Sequence, residues 1–243
     1  MRHFFLFPFA FFLGLAMMEL RQVTKHYPQG RRIVRALQGV SLRIEAGEFV
    51  SIMGPSGSGK STLMHLLGAL DTPTSGEVYF DGKPLHAMAD GELAMLRRQR
   101  IGFIFQFFNL LPSLTAVENV ALPLLLAGQG RGKAMGPAKA MLDRVGLGER
   151  AGHFPDELSG GEMQRVAIAR ALVIEPEAVL CDEPTGNLDS KSSGEVLNLL
   201  RSIPEPGCRA VVMVTHDADA AAYGDRIVHI KDGLVASEER VSV

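Results

Sequence analysis

The chain has 243 residues, of which 47% are hydrophobic and 21% charged, with 25 Lys+Arg against 27 Asp+Glu and a net charge of −2. This composition excludes a disordered chain, and 26 Gly with 13 Pro in no fixed period exclude a collagen-like one; the length suits one core with a subdomain. The near-neutral balance argues against a dedicated nucleic-acid binder, and Cys181 and Cys208 cannot build a disulfide framework, so a reducing compartment is expected.

In chain order, the first feature is Phe4 to Met18, an uncharged run that follows Arg2 and His3 and holds nearly half of the 13 Phe. It has the cationic start and the Gly14-Leu15-Ala16 site of a secretory leader. As a membrane span it is short, since roughly 17–25 apolar residues are needed, and Pro8 interrupts it. The expectation is an upstream extension, with translation beginning at Met17 or Met18 and residues 1–18 lying outside the fold.

From Glu19 the pattern becomes globular. The alternation of Val34, Ala36, Val40, Leu42 and Ile44 with polar residues predicts a half-buried strand, and Phe49–Met53 predicts a short one. A Gly/Ser loop over 54–59 leads into a helix over 60–70. Glu77–Phe80 then predicts a strand, Glu92–Arg100 a basic helix and Ile101–Phe105 another strand. Arg97, Arg98 and Arg100 are read as a solvated helix face. Residues 107–162 are helical in character, with a capping box at Thr115 and Glu118, and Gly128–Gly136 is read as a loop. A helix follows Ser159, and strands over 178–182 and 210–215 alternate with a helix over 193–201. Such alternation at both ends implies a parallel, helix-covered sheet with an inserted helical piece.

Three motifs carry chemistry. Gly54-Pro55-Ser56-Gly57-Ser58-Gly59-Lys60-Ser61 fits a P-loop, lying between a predicted strand and a predicted helix. Its backbone N–H groups would cradle phosphates at the helix start; Lys60 would reach the β- and γ-phosphates and Ser61 would ligate Mg²⁺. The apolar strand ending in Asp182 and Glu183 places two acids where an unpaired burial would be unfavourable. Asp182 would then hold Mg²⁺ and Glu183 would act on the attacking water. The third motif, Leu158-Ser159-Gly160-Gly161-Glu162, builds a capping box whose bare N–H groups form a second anion site. One P-loop cannot readily use two anion sites within one molecule, whereas a symmetric homodimer can, each chain capping the ATP of its partner.

With these motifs in order, the chain resembles the ATP-binding subunits of ABC transporters from Glu19 to about Val235. The resemblance implies an α/β P-loop NTPase (RecA-like) core with a parallel sheet, a small antiparallel β subdomain and an inserted helical subdomain. The core is assigned to 19–106 and 163–243 and the helical subdomain to 107–162. It further implies that Gln106 contacts Mg²⁺ and the attacking water, that Asp189 lies at a dimer seam, that His216 touches the γ-phosphate and that Tyr27 stacks on adenine. Thr62 joins the ATP-binding set, while Ser159, Gly160, Gly161 and Asp189 bind in trans. Glu162 departs from the pattern, where glutamine is more usual.

The stretches Phe105–Val120 and Pro184–Asp189 resemble a narrower group, the ATPases of lipoprotein-releasing, macrolide-export and cell-division complexes. Phe107, Phe108, Leu110 and Leu111 would suit a groove for a permease helix. The expectation is an ATPase peripheral to the cytoplasmic face of the inner or plasma membrane, using ATP and Mg²⁺ as a homodimer to drive a separately encoded permease. The alternative is the ATPase of a division-signalling complex that does not transport.

Overall fold

Alternating apolar residues pair β1 (Met18–Gln29) with β2 (Arg32–Ile44) in antiparallel register, with Leu20, Val23, Leu37, Val40 and Ile44 buried. The computed structural model describes residues 17–30, 32–205 and 207–241. The apolar run up to residue 16, and with it the choice among leader, span and upstream extension, lies outside the described residues, but the expected boundary at 18 is too late, since Met17 and Met18 are buried and Met18 pairs with Ile44 and Phe80. Strands β3 (Phe49–Met53) and β4 (Ser75–Phe80) follow; β4 pairs with β1, and the two-residue β5 (Lys83–Pro84) completes a four-stranded antiparallel sheet.

The second sheet adds β6 (Ile101–Phe105), β7 (Ala178–Asp182), β8 (Ala210–Thr215), β9 (Arg226–Lys231) and β10 (Leu234–Arg240). Its order is β10-β9-β3-β8-β7-β6, parallel from β9 to β6 with β10 antiparallel at the edge. The strand period of two divides each central strand between two cores. Val179, Cys181, Val211 and Met213 face one cluster, while Leu180, Val212, Val214 and Ile52 face the other. Both faces are covered, as an all-parallel run requires. The fold is therefore the expected α/β type, a parallel core with a small antiparallel sheet.

Helices α1 (Lys60–Leu67) and α2 (Asp90–Gln99) precede β6, and α3 (Ala116–Leu126), α4 (Arg131–Arg144) and α5 (Gly160–Leu172) follow it. Later come α6 (Ser190–Arg201) and the single-turn α7 (Ala218–Ala221). Thr115 caps α3, its Oγ1 accepting from Glu118 N while the Glu118 carboxylate accepts from Thr115 N at 3.0 Å, as the spacing predicts.

The structure corrects several expectations. The 128–136 loop is mostly helix: α4 starts at Arg131, because Ala134, Ala138, Met141 and Leu142 form a buried stripe that outweighs its glycines. Helix α1 ends at Leu67 rather than residue 70, with Ala69 in the left-handed region at φ 53°. Of the expected solvated face, Arg98 is exposed, but Arg97 and Arg100 are half-buried and bonded to the protein. Arg97 donates to Ala69 O, and Arg100 makes a two-pronged pair with Glu177, reaches Asp81 and lies over the Phe80 ring. Among the described residues no helix is long and apolar enough to cross a membrane.

Candidate active site

The P-loop runs from the end of β3 into α1, so its conformation is set by what it passes. A Cβ at Gly59, where φ is +104°, would stand 2.4 Å from Ala36 O, so only glycine lets the loop pass β2. One at Gly54 would stand 2.1 Å from Ile230 O on β9. Lys60 is 6% exposed and folds back over the loop, its Nζ donating to Gly54 O at 2.8 Å and Pro55 O at 2.9 Å. Ser58 Oγ is buried in the loop without a hydrogen-bond partner, a donor held ready for an acceptor. Ser56 and Gly57 are exposed at the tip, and Gly57 sits at φ 78°.

The other polar groups arrive on the carboxyl ends of the same parallel strands. Register pairs Met53 with Thr215 and Phe105 with Asp182, so the residues that follow β3, β6, β7 and β8 all leave one edge. Ser61 Oγ donates to Asp182 Oδ1 at 3.4 Å, bringing together two of the three residues assigned to metal, Gln106 being the third. Burial, and secondarily the Glu183 charge, push the Asp182 carboxyl above its ordinary value; His65, Ser61 and Lys60 pull the other way. Glu183 sits at φ 46°, its N–H donating to Val214 O at 2.9 Å, and its Oε1 lies 3.0 Å from His216 Nδ1. A left-handed glutamate is strained backbone held by its surroundings.

Gln106 follows β6 and its side chain lies flat over Gly186, where a Cβ would meet Gln106 Nε2 at 2.8 Å. The backbone around it is gripped by other segments: Asn187 Nδ2 donates to Gln106 O at 3.0 Å and Gln164 Nε2 to Phe105 O and Pro184 O. Tyr27 is half-buried near Thr62, donates its hydroxyl to Asp71 at 2.7 Å and carries Lys25 Nζ 4.9 Å above its ring. Burial and that Asp71 bond raise the phenol, which stays the donor.

A second set forms where α5 meets α6. Ser159 caps α5, with Glu162 N donating to its Oγ at 3.3 Å and Ser159 N donating to Glu162 Oε2 at 2.8 Å. Glu162 thus completes the capping box that glutamine would, and that backbone bond holds its carboxyl below the usual range, with Arg150 3.4 Å away. Gly161 abuts Ser192 and Gly160 abuts Leu188; an added Cβ would stand 2.9 Å and 3.3 Å from them. Asp189 caps α6, accepting from Ser192 N at 3.0 Å and Ser192 Oγ at 2.8 Å.

Sequence reasoning missed two contributors, both on α5. Gln164 is fully buried with its Oε1 unpartnered; its place among apolar positions on the buried face was the available signal. Arg170 donates to Asn109 O and Phe108 O, and reads in sequence as an ordinary basic residue in the last turn. The apolar groove also differs from expectation. A cleft of about 510 Å³ is lined by Leu70, Phe103, Phe105, Asn109, Leu122 and Leu126 among others, while Phe107 and Leu111 lie outside its lining, exposed.

A family model described as ABC transporter matches residues 37–186. An uncharacterized ABC transporter ATP-binding protein of Methanocaldococcus jannaschii is 49% identical over 229 residues, covering 93% of this chain and 97% of that protein. The lipoprotein-releasing system ATP-binding protein LolD of Shewanella frigidimarina is 49% identical, covering 90% and 92%. The macrolide export ATP-binding/permease protein MacB of Bdellovibrio bacteriovorus is 47% identical over 93% of this chain but only 34% of its own length. A solved dimeric ATP-binding cassette in a post-hydrolysis state with ADP and phosphate superposes with a TM-score of 0.85 at 47% identity, covering 93% of this chain and all of that one. A family match over most of the chain's core, with relatives near half identity along their full length, places the chain in the ABC transporter family.

Proposed function

We propose that this ABC-family ATPase works as a homodimer that hydrolyses Mg·ATP to drive a separately encoded membrane permease of the lipoprotein-releasing or export kind, from the cytoplasmic face. The observation that carries the reading is the convergence of Lys60, Ser61, Asp182, Glu183, Gln106 and His216 at one sheet edge. The similarity to LolD along nearly its whole length supports the partner class.

The residues fit the nucleotide and its metal. Ser58 Oγ offers a buried free donor to phosphate. Ser61 and Asp182 supply two hard oxygens, and among the described residues no cluster of three or more His, Cys, Asp or Glu forms a self-sufficient metal cage. That sparse donor set suits Mg²⁺, which keeps water and phosphate oxygens and takes one or two protein ligands. When bound, Mg²⁺ neutralises phosphate charge in the transfer to water.

Lys60, released from Gly54 O and Pro55 O, turns to the phosphates, and the backbone N–H groups of 56–62 hold them. Glu183 orients the attacking water and accepts its proton, His216 holds Glu183 and meets the γ-phosphate, and Gln106 positions the water from the other side. Tyr27 supports the base. Ser159, Gly160, Gly161 and Asp189 cap the partner's ATP. Residues 19–106 and 163–243 form the nucleotide core and 107–162 the helical subdomain, and the cleft lined by residues of both receives the permease.

Glu183→Gln keeps size and hydrogen bonding but removes basicity, so hydrolysis is expected to fall by about 10²–10⁴ while ATP affinity barely changes. With the γ-phosphate retained, that variant accumulates as an ATP-bound dimer, whereas Lys60→Ala loses nucleotide and stays monomeric. Light scattering of both variants with Mg·ATP, alongside phosphate release, is the measurement. An active Glu183→Gln protein, or one no more dimeric than Lys60→Ala, overturns the assignment.

A further inference from the structure

The backbone just after Gln106 takes an improbable shape. Phe108 and Asn109 stand in succession in the left-handed region, at φ 59° and 51°, and neither is glycine. Asparagine tolerates that conformation; phenylalanine does not, so the pair persists only because something holds it.

Arg170 fills that role. Its NH1 donates to Asn109 O at 2.6 Å and its NH2 to Phe108 O at 2.8 Å, one guanidinium bridging both carbonyls. The side chain lies in the cleft wall beside Phe105, Asn109 and Leu122. Among the described residues no carboxylate pairs with it, although nine other arginines have an acidic partner within 4.0 Å. Burial lowers its pKa with no acid to offset the effect. A half-buried cation given only backbone carbonyls is an unfavourable way to fill space, and an aliphatic side chain would pack there more readily. Its fork geometry, matched to two oxygens, is what the position uses.

We propose that Arg170 is a positioning residue for Gln106. It locks the Phe108–Asn109 turn, and thereby the chain direction at Gln106, two residues upstream, where the side chain lies over Gly186. Gln164 grips Phe105 O from the same helix, so α5 holds the segment on both sides of Gln106. The proposal rests on the reading of Gln106 as a water-positioning residue.

The test compares Arg170→Met, Arg170→Lys, Gln106→Ala and the double variant Gln106→Ala/Arg170→Met for kcat, KM and ATP affinity per folded molecule. Misplacing a positioning group by about 1 Å lowers rate by up to about 10²-fold, so Arg170→Met is expected to lose 10–100-fold in kcat with KM and ATP affinity within about twofold. Arg170→Lys keeps the charge but spans one carbonyl rather than two, and is expected to fall between Arg170→Met and the parent; it carries the test if Arg170→Met fails to fold. In the Gln106→Ala background Arg170→Met should add nothing further, because the two act as one unit. If Gln106→Ala is impaired while Arg170→Met or Arg170→Lys hydrolyses at the parent rate, or if the two losses multiply, the proposal is overturned. A fully active Gln106→Ala overturns instead the role of Gln106 on which it rests.

Discussion

Asp182 is the residue at which folding and chemistry pull in opposite directions. Burial first and the Glu183 charge second raise its carboxyl above the ordinary 3.8, so the folded state favours the protonated form. The sign follows from linkage: this contribution to stability is present below 3.8 and is lost as pH rises above it, leaving a disfavoured carboxylate at neutral pH. Asp182→Asn removes that carboxylate and keeps the shape. Its melting temperature without nucleotide is expected to rise above the parent's, and the extra stabilisation by Mg·ATP over ATP alone is expected to vanish. Thermal denaturation with and without Mg²⁺ checks both, and a lower melting temperature in the nucleotide-free variant counts against the burial argument. Glu183 shows the same conflict in its backbone, where the left-handed φ of 46° is held by the Val214 carbonyl and the His216 contact.

At the scale of elements, helices here are decided by buried stripes and caps more than by propensity. α4 contains Gly132, Gly136 and Pro137 yet forms, because its apolar residues recur at helical spacing against α3. α6 has Gly194 in its interior, and a Cβ added there meets nothing within 4 Å. Gly194→Ala should therefore gain about 1 kcal/mol of helix propensity, raising the melting temperature by roughly 2–4 °C. Hydrolysis should remain at the parent rate, since no contact of the site changes. Calorimetry together with phosphate release tests this, and an unchanged or lower melting temperature would show that α6 resists the added methyl. α5 is the element with the most duties: its cap presents Ser159, its middle grips Phe105 and Pro184 through Gln164, and its last turn holds Phe108 and Asn109.

For the whole molecule, the question is why one chain carries two candidate anion sites. The P-loop and the Ser159 cap lie on different helices, α1 and α5, and α6 packs against the second. If the second site serves the partner's nucleotide, Ser159→Arg places bulk and charge at the seam without touching its own P-loop. The monomer should bind ATP as the parent does, while hydrolysis falls to background and no ATP-dependent dimer forms. Nucleotide titration, light scattering and phosphate release on one preparation settle it; normal hydrolysis by Ser159→Arg would exclude capping in trans.

Much of this was legible in the sequence because the chemistry is local. A phosphate cradle needs glycines, lysine and serine in immediate succession; a capping box needs residues three apart; and an apolar strand that ends in Asp182-Glu183 announces its acids by contrast. Alternation marked β2, and short apolar runs marked β3, β6, β7 and β8, near their observed bounds. What only the tertiary structure decided is which distant groups meet. Arg100 faces Glu177 rather than water, Tyr27 donates to Asp71, and Arg170 reaches a turn some sixty positions away. No periodicity encodes such pairs. A long cation looks the same in sequence whether its head lies in solvent or against backbone carbonyls, and only the packing of α5 across the end of β6 determines which.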